Sequence, residues 1–192
     1  EVVLEIVATA VNRADLLQAR GLYPPPPGES PILGLEAAGR VAALGGKVRG
    51  WSLGDRVCAL VPGGGYAERC AVHHALLMPL PQEWSFAQGA AVPEVWLTAF
   101  SNLFLEGGLA AGQTVLIHAG ASGVGTAAIQ LAAAAGARVA VTAGAEAKLA
   151  HCRALGAQVA VNYRRDSFAA RLQEIGGVDL VVFPVFHPAA AL

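Results

Sequence analysis

At 192 residues and 19.5 kDa, the chain has room for one or two domains and buries about 70% of its unfolded surface, which excludes a mini-protein stapled by metal or disulfides. Hydrophobic residues make up 55% and charged residues 14%, and 13 basic against 14 acidic side chains leave a net charge of −1, so disorder is excluded and no basic field invites nucleic acid or a membrane surface. Cys58, Cys70 and Cys152 stand at unrelated spacings that suit a reducing, cytoplasmic setting, no apolar run has the length of a membrane span, and the opening at Glu1 is that expected of a fragment.

Val2 to Val11, rich in Val and Ile with Glu5 and Thr9 interspersed, reads as a half-buried strand, and Asn12 to Arg20 as a short helix stopped by Gly21. Pro24 to Pro27 is a rigid loop. Glu36 to Leu44, Asp55 to Val61, Tyr66 to Val72 and Ala75 to Leu80 read as strands, set apart by Gly45-Gly46, Pro62-Gly63-Gly64-Gly65 and His73-His74. That spacing suits an antiparallel, barrel-like lobe. From Ser85 the period turns helical, Pro93 interrupts it, and a further helix is expected from Glu94 to Leu105.

Strand and helix then alternate: Thr114 to Ala119, Gly123 to Ala135, Arg138 to Thr142, Ala145 to Leu155, Gln158 to Tyr163, Asp166 to Ile175 and Asp179 to Val185. Such alternation builds βαβ units on a parallel sheet. The fold expected is α/β with a β-rich lobe, divided into residues 1–84 and 85–192, the second part opening with connector helices. The alanines from Ala127 to Ala137 fit a helix lying close to a sheet.

Val115 to Ile117 run through His118-Ala119-Gly120-Ala121-Ser122-Gly123-Val124-Gly125-Thr126 into a helix. Gly123 and Gly125 remove Cβ atoms that would block a close approach or helix packing, while free N–H groups and the positive end of the helix dipole favour an anion. The pattern is Gly120-x-x-Gly123-x-Gly125, with Ser122 where the second glycine of the usual fingerprint stands. Inside repeated βαβ units this reads as a dinucleotide turn, a merely structural tight turn being the alternative.

The next strand ends Val141-Thr142-Ala143-Gly144 without a carboxylate. A carboxylate about 4 Å from a 2′-phosphate repels it by roughly 4 kcal/mol per unit charge pair at an effective dielectric of 20. Its absence favours NADPH over NADH, with Lys148 one turn beyond Gly144 and Tyr163 after the following strand as neighbours of the phosphate. Taken alone, Lys148 is a solvated helix lysine.

With these residues in hand, the chain resembles the zinc-independent quinone oxidoreductase branch of the medium-chain dehydrogenase/reductase superfamily. The resemblance rests on Val11-Asn12-Arg13-Ala14-Asp15, Gly21-Leu22-Tyr23-Pro24-Pro25-Pro26, Gly34-Leu35-Glu36-Ala37-Ala38-Gly39, Gly54-Asp55-Arg56-Val57, Pro93-Glu94-Val95-Trp96-Leu97-Thr98-Ala99, His118 to Gln130 and Asn162-Tyr163. It implies a GroES-like barrel-type catalytic domain, an incomplete Rossmann parallel sheet, NADPH as cofactor and a small-molecule quinone as hydride acceptor. It also implies that Ser122, Gly123 and Val124, in the turn framed by Gly120 and Gly125, contact the pyrophosphate, that Gly144, Lys148 and Tyr163 surround the adenosine phosphate, and that Asn12, Tyr23 and Thr98 line the nicotinamide and substrate side. Apart from the resemblance, Asn12 is a helix cap and Tyr23 a packed loop aromatic.

Zinc-dependent relatives carry histidine where Leu35 stands, Cys58 and Cys70 lack ligand spacing, and His73 and His74 fall on an expected strand edge with side chains on opposite faces. No metal is expected, and the cysteines read as packed or semi-exposed thiols. The resemblance also implies a strand region ahead of Glu1 and an acidic residue with a glycine-rich turn after Val182, where this chain has Phe183-Pro184-Val185-Phe186-His187-Pro188-Ala189-Ala190-Ala191-Leu192. Pro184 ends the strand early. The expectation is a chain truncated at both ends, with uncovered sheet edges, poor stability, the homodimer edge of its relatives missing and activity reduced or lost.

Three functions fit: an NADPH-dependent quinone oxidoreductase, a reductase of α,β-unsaturated carbonyls using the same cofactor, and a non-catalytic NADPH-binding protein. No nucleic-acid or membrane partner is expected. A serine-hydrolase elbow fits poorly, because Ser122 is followed by Gly123-Val124. So does a tyrosine–lysine pair four residues apart, because Pro27, Cys70 and Ser167 follow Tyr23, Tyr66 and Tyr163 at that offset.

Overall fold

The computed structural model describes residues 1–183, which separate into one unit ending at Glu94 and a second beginning at Val95. The first is built on an antiparallel sheet of β1 (Val2–Thr9), β2 (Glu36–Leu44), β3 (Arg56–Leu60), β4 (Arg69–Val72) and β5 (Leu77–Pro79), in the order β4-β1-β2-β3-β5. Alternation along these strands turns Val2, Leu4, Val41, Val57, Ala59 and Val72 into one core. Gly39 sits where β1 and β2 pair, and a Cβ there would lie 1.9 Å from the Glu5 carbonyl oxygen. Only glycine fits that approach.

α1 (Arg13–Gln18) follows β1. α2 (Phe86–Ala90) is capped by Ser85, whose Oγ accepts from the Gln88 amide at 3.2 Å. α3 (Pro93–Phe100) starts on Pro93, so the proline opens a helix instead of breaking one. The helix expected to reach Leu105 gives way after Phe100 to a π-helical turn, Ser101–Glu106. There the wider ring brings the Gly107 amide to the Asn102 carbonyl at 3.1 Å.

The second unit carries a parallel sheet of β6 (Thr114–Ile117), β7 (Arg138–Ala143), β8 (Val159–Asn162) and β9 (Leu180–Val182), ordered β8-β7-β6-β9. It is joined by α4 (Gly123–Ala134), α5 (Glu146–Ala154) and α6 (Phe168–Glu174). Ala127, Ala128, Ile129 and Ala132 of α4 are buried with Val115, Ile117, Val139 and Val141, as the alanine run requires. This is the α/β fold with an antiparallel lobe expected from the sequence.

Three local readings need correction. The strand expected from Tyr66 begins at Arg69, because the Tyr66 amide donates to the Leu33 carbonyl in a turn. The segment expected as a strand from Ala75 opens instead with a 3₁₀ turn, His74–Leu76, before β5. His73 and His74 are therefore not on a strand edge, and their rings approach to 4.7 Å rather than pointing apart. The end of the last expected strand and the tail from Pro184 to Leu192 lie outside the described residues.

Candidate functional site

The turn between β6 and α4 is held by its own backbone. The Gly120 amide donates to the Thr142 carbonyl at 3.0 Å, and the Ser122 amide to the Ala119 carbonyl at 2.8 Å. Ala119 takes φ = 48°, a left-handed conformation rare for a residue with a side chain and a sign that the surrounding turn imposes it. Ser122 caps α4, its Oγ accepting from the Gly125 amide at 3.0 Å. The amides of Gly123 and Val124, in the first turn, have no intrahelical acceptor and face the end of the helix.

Each glycine has a distinct steric reason. A Cβ on Gly125 would meet the Ala119 and Gly120 carbonyl oxygens at 2.5 and 2.7 Å, and one on Gly120 would meet Val141 Cβ at 2.9 Å. A Cβ on Gly123 would touch only Val95 Cγ1 closely, at 2.9 Å. At Gly123 the missing Cβ therefore makes room for a side chain of α3.

Beside this turn lies a cavity of about 730 Å³, whose lining includes Ser122, Gly144, Lys148 and Tyr163 of the residues singled out from the sequence. Gly120, Gly123, Val124 and Gly125 build the turn but are not among its lining residues. Gly144 leaves room for the ring of Tyr163: a Cβ there would lie 2.7 Å from the phenol oxygen and 3.1 Å from Arg164 Nε. Sequence reasoning missed Arg164, although it directly follows Tyr163.

It also missed an aromatic wall. His118 Nδ1 lies 2.9 Å from Thr142 Oγ1, and its ring stacks on Phe183 at 4.5 Å and meets Phe168 edge-on at 5.1 Å. Burial lowers the His118 pKa, favouring the neutral ring. Asp166, from the loop before α6, lines the cavity as well. A carboxylate thus reaches this region from β8's side although β7 ends without one. A lysine and flat rings lining one cavity, beside a helix start whose first amides have no intrahelical acceptor, suit a ligand that joins phosphates to a heteroaromatic ring.

Asn12, Tyr23 and Thr98 occupy different settings. Asn12 stands at the N-cap of α1, its backbone amide donating to Asp15 Oδ2 at 2.7 Å. Its side-chain Nδ2 donates to Glu36 Oε1, also at 2.7 Å, and the Glu94 amide donates to Glu36 Oε2 at 2.8 Å. Asp15 accepts in turn from the Tyr66 hydroxyl at 2.9 Å and the Gly34 amide at 3.2 Å. Burial raises the pKa of the almost fully buried Glu36, and burial followed by hydrogen bonding to Asp15 pushes the Tyr66 phenol up to about 12. Tyr23 lines a smaller cavity of this unit. Thr98, on α3 in the second unit, accepts at its carbonyl from Asn102 Nδ2 at 2.7 Å.

Among the described residues, no three His, Cys, Asp or Glu side chains group as a metal site, and no helix is long and apolar enough to cross a membrane. The three cysteines are free, Cys58 and Cys152 buried and Cys70 half-buried.

Residues 1–82 match the alcohol dehydrogenase GroES-like domain, and residues 123–191 match the zinc-binding dehydrogenase family. The chain belongs to the medium-chain dehydrogenase/reductase superfamily. The chain is 41% identical over 184 residues to the spectinabilin polyketide synthase system protein NorB of Streptomyces orinoci, covering 95% of the chain but 8% of that protein. Among solved structures, CurK enoyl reductase superposes with a TM-score of 0.88 at 31% identity, covering 98% of this chain and 60% of that one. Escherichia coli quinone oxidoreductase complexed with NADPH superposes with a TM-score of 0.82 at 34% identity, covering 91% and 54%. The chain therefore spans a small fraction of its curated relative and between half and two thirds of these solved ones.

Proposed function

We propose that the chain is the reductase segment of a longer protein that reduces α,β-unsaturated acyl groups with NADPH. The cavity beside the capped glycine turn supports the cofactor half of this reading: Lys148 and stacked rings line it, and the start of α4 lies at its edge through Ser122. The amides of Gly123 and Val124 hold the pyrophosphate, Lys148, Tyr163 and Arg164 meet the adenosine phosphate, and His118, Phe168 and Phe183 face the flat base. Ser122 keeps the helix start rigid by occupying the Gly125 amide. When bound, the reduced nicotinamide supplies a hydride, and the protein has mainly to orient the acceptor and stabilise negative charge on its oxygen.

The acyl acceptor is supported by the likeness to a polyketide synthase protein along 95% of the chain and to CurK enoyl reductase along 98%. Quinones are the second acceptor class, supported by the likeness to E. coli quinone oxidoreductase. In both readings zinc has no role, since Leu35 stands where a ligand is needed. The test is NADPH oxidation with a crotonyl thioester and, separately, with a benzoquinone. The acyl reading expects faster turnover of the thioester. Turnover of the quinone alone establishes the second reading, and NADPH binding without oxidation of either establishes a binding protein.

A further inference from the structure

Three basic side chains and one acidic one form a lateral row across the antiparallel sheet. Glu5 of β1 pairs with Arg69 of β4 on one side and with Arg40 of β2 on the other, and Arg40 in turn pairs with Arg56 of β3. Directly opposed residues place their side chains on one face of a sheet. Glu5 is engaged by Arg69, its Oε1 accepting from Nη2 at 3.3 Å. The remaining two members are like charges set directly opposite each other, an arrangement that costs stability. Among the described residues neither is ion-paired: Asp55 accepts instead from the Ser52 amide, and Glu83 forms no ion pair with either arginine.

One aromatic ring supports both guanidinium groups. Arg56 Cζ lies 4.8 Å and Arg40 Cζ 5.4 Å from the centroid of Phe86. Arg56 is half-buried and fixed in place: Nη1 donates to the Gln82 carbonyl at 2.7 Å and to Gln82 Oε1 at 3.2 Å, Nη2 donates to the Trp84 carbonyl, and Nε is buried with no hydrogen-bond partner. Arg40 is exposed, and its Nη1 donates to the Gly54 carbonyl at 3.1 Å. A guanidinium carries several N–H donors in a planar fork, so most of the Arg40 fork remains for a ligand, beside a second positive charge held still by carbonyls.

We propose that Arg40 and Arg56 form a binding site for a phosphate group, Arg40 supplying a bidentate fork and Arg56 a fixed charge with one further N–H. Charge and shape select this class of anion. A carboxylate brings one negative charge and two oxygens, which a single guanidinium satisfies, whereas a phosphate ion or monoester brings close to two negative charges at neutral pH and three acceptor oxygens, which match two guanidinium groups. The anion also screens the two arginines from each other, so the repulsion present in the free protein favours binding. The site shares no residue with the cavity beside the glycine turn, and it takes a ligand of its own.

The test is isothermal titration calorimetry on the full chain with inorganic phosphate, methyl phosphate and acetate, at an ionic strength held constant with sodium chloride. All proteins carry Lys148→Ala, which disables the other cavity suited to a phosphate. With Arg40 intact, phosphate is expected to bind and acetate to give no heat. Arg40→Gln removes the charge and the fork and is expected to weaken phosphate about tenfold, while its Tm in chloride stays level because two like charges no longer oppose each other. Arg40→Lys, which keeps the charge and loses the fork, is expected to fall between the two.

Methyl phosphate bound as tightly as inorganic phosphate assigns the site to a phosphate ester, and inorganic phosphate bound alone assigns it to the free ion. Equal phosphate affinity in all three Arg40 forms, acetate bound as tightly as phosphate, or no phosphate binding with Arg40 intact overturns the assignment.

Discussion

Gly125→Ala separates a turn that must be glycine from one that merely tolerates it. The added methyl would lie 2.5 Å from the Ala119 carbonyl oxygen, 2.7 Å from that of Gly120 and 2.8 Å from the Gly120 carbonyl carbon. All three atoms are backbone, so no rotamer change relieves the clash. The turn cannot drift freely either, because Gly120 and Ser122 are tied through the Thr142 and Ala119 carbonyls and Ala119 already sits at φ = 48°. Overpacking of this kind costs about 3 kcal/mol, and the better helix propensity of alanine returns at most about 1, leaving a net loss of ~2 kcal/mol. For a chain of this length that is a fall in Tm of roughly 4–8 °C. Gly123→Ala is the internal control, since its methyl closely meets only the Val95 side chain. It is expected to stay within about 1 kcal/mol of wild type. Differential scanning calorimetry with and without NADPH reads both effects. Gly125→Ala should also lose about tenfold in NADPH affinity, because α4 has to shift its free amides. Equal Tm values and equal affinities for the two variants would refute the steric argument.

Three further perturbations bear on charge. Lys148→Ala should weaken NADPH by about tenfold and leave NADH unchanged, the modest size reflecting an exposed ion pair; parallel fluorescence titrations with the two nucleotides decide it. Asp166→Asn should shift preference toward NADPH by a few-fold in the same titrations, since it removes the carboxylate that shares the cavity with Lys148. Glu36 and Glu94 have pKa values raised above the ordinary 4.5, so between those limits the folded state binds more protons than the unfolded one. Their contribution to stability is complete below pH 4.5 and declines as pH rises through the folded values, amid Asp15, Tyr66 and Cys58, the other titratable groups coupled to this cluster. Urea midpoints across that range should fall with pH and fall less steeply in Glu94→Gln.

What was legible in the sequence was what short range decides. The strand-to-helix glycine turn showed through because steric clash, helix capping and amide direction all act within the eight residues from Ala119 to Thr126. The alternating βαβ pattern showed through for the same reason, since periodicity reports burial locally. Pro93 misled because a proline reads alike as a helix breaker or a first helical residue, and only its neighbours' hydrogen bonds decide. The 3₁₀ turn at His74–Leu76 was hidden because its Leu-rich continuation into β5 alternates like a strand.

Long-range placement escaped for a physical reason. Asp15 and Tyr66 are joined across a separation of 51 residues, Asn12 and Glu36 across 24, and Glu36 and Glu94 across 58. No local pattern distinguishes these acids from solvated ones until the sheet buries them, and burial itself gives them chemical interest. The same holds in the second unit, where His118, Phe168 and Phe183 follow β6, open α6 and follow β9, and Phe183 reaches His118 through the pairing of β9 with β6. Glycine spacing therefore marks the turn at the start of α4, whereas the side chains that surround the neighbouring cavity are assembled by topology. Sequence patterns of this kind are accordingly firmer guides to a helix-start turn than to the side chains that line a cavity, because the turn is built within a few residues and the cavity is built by the sheet.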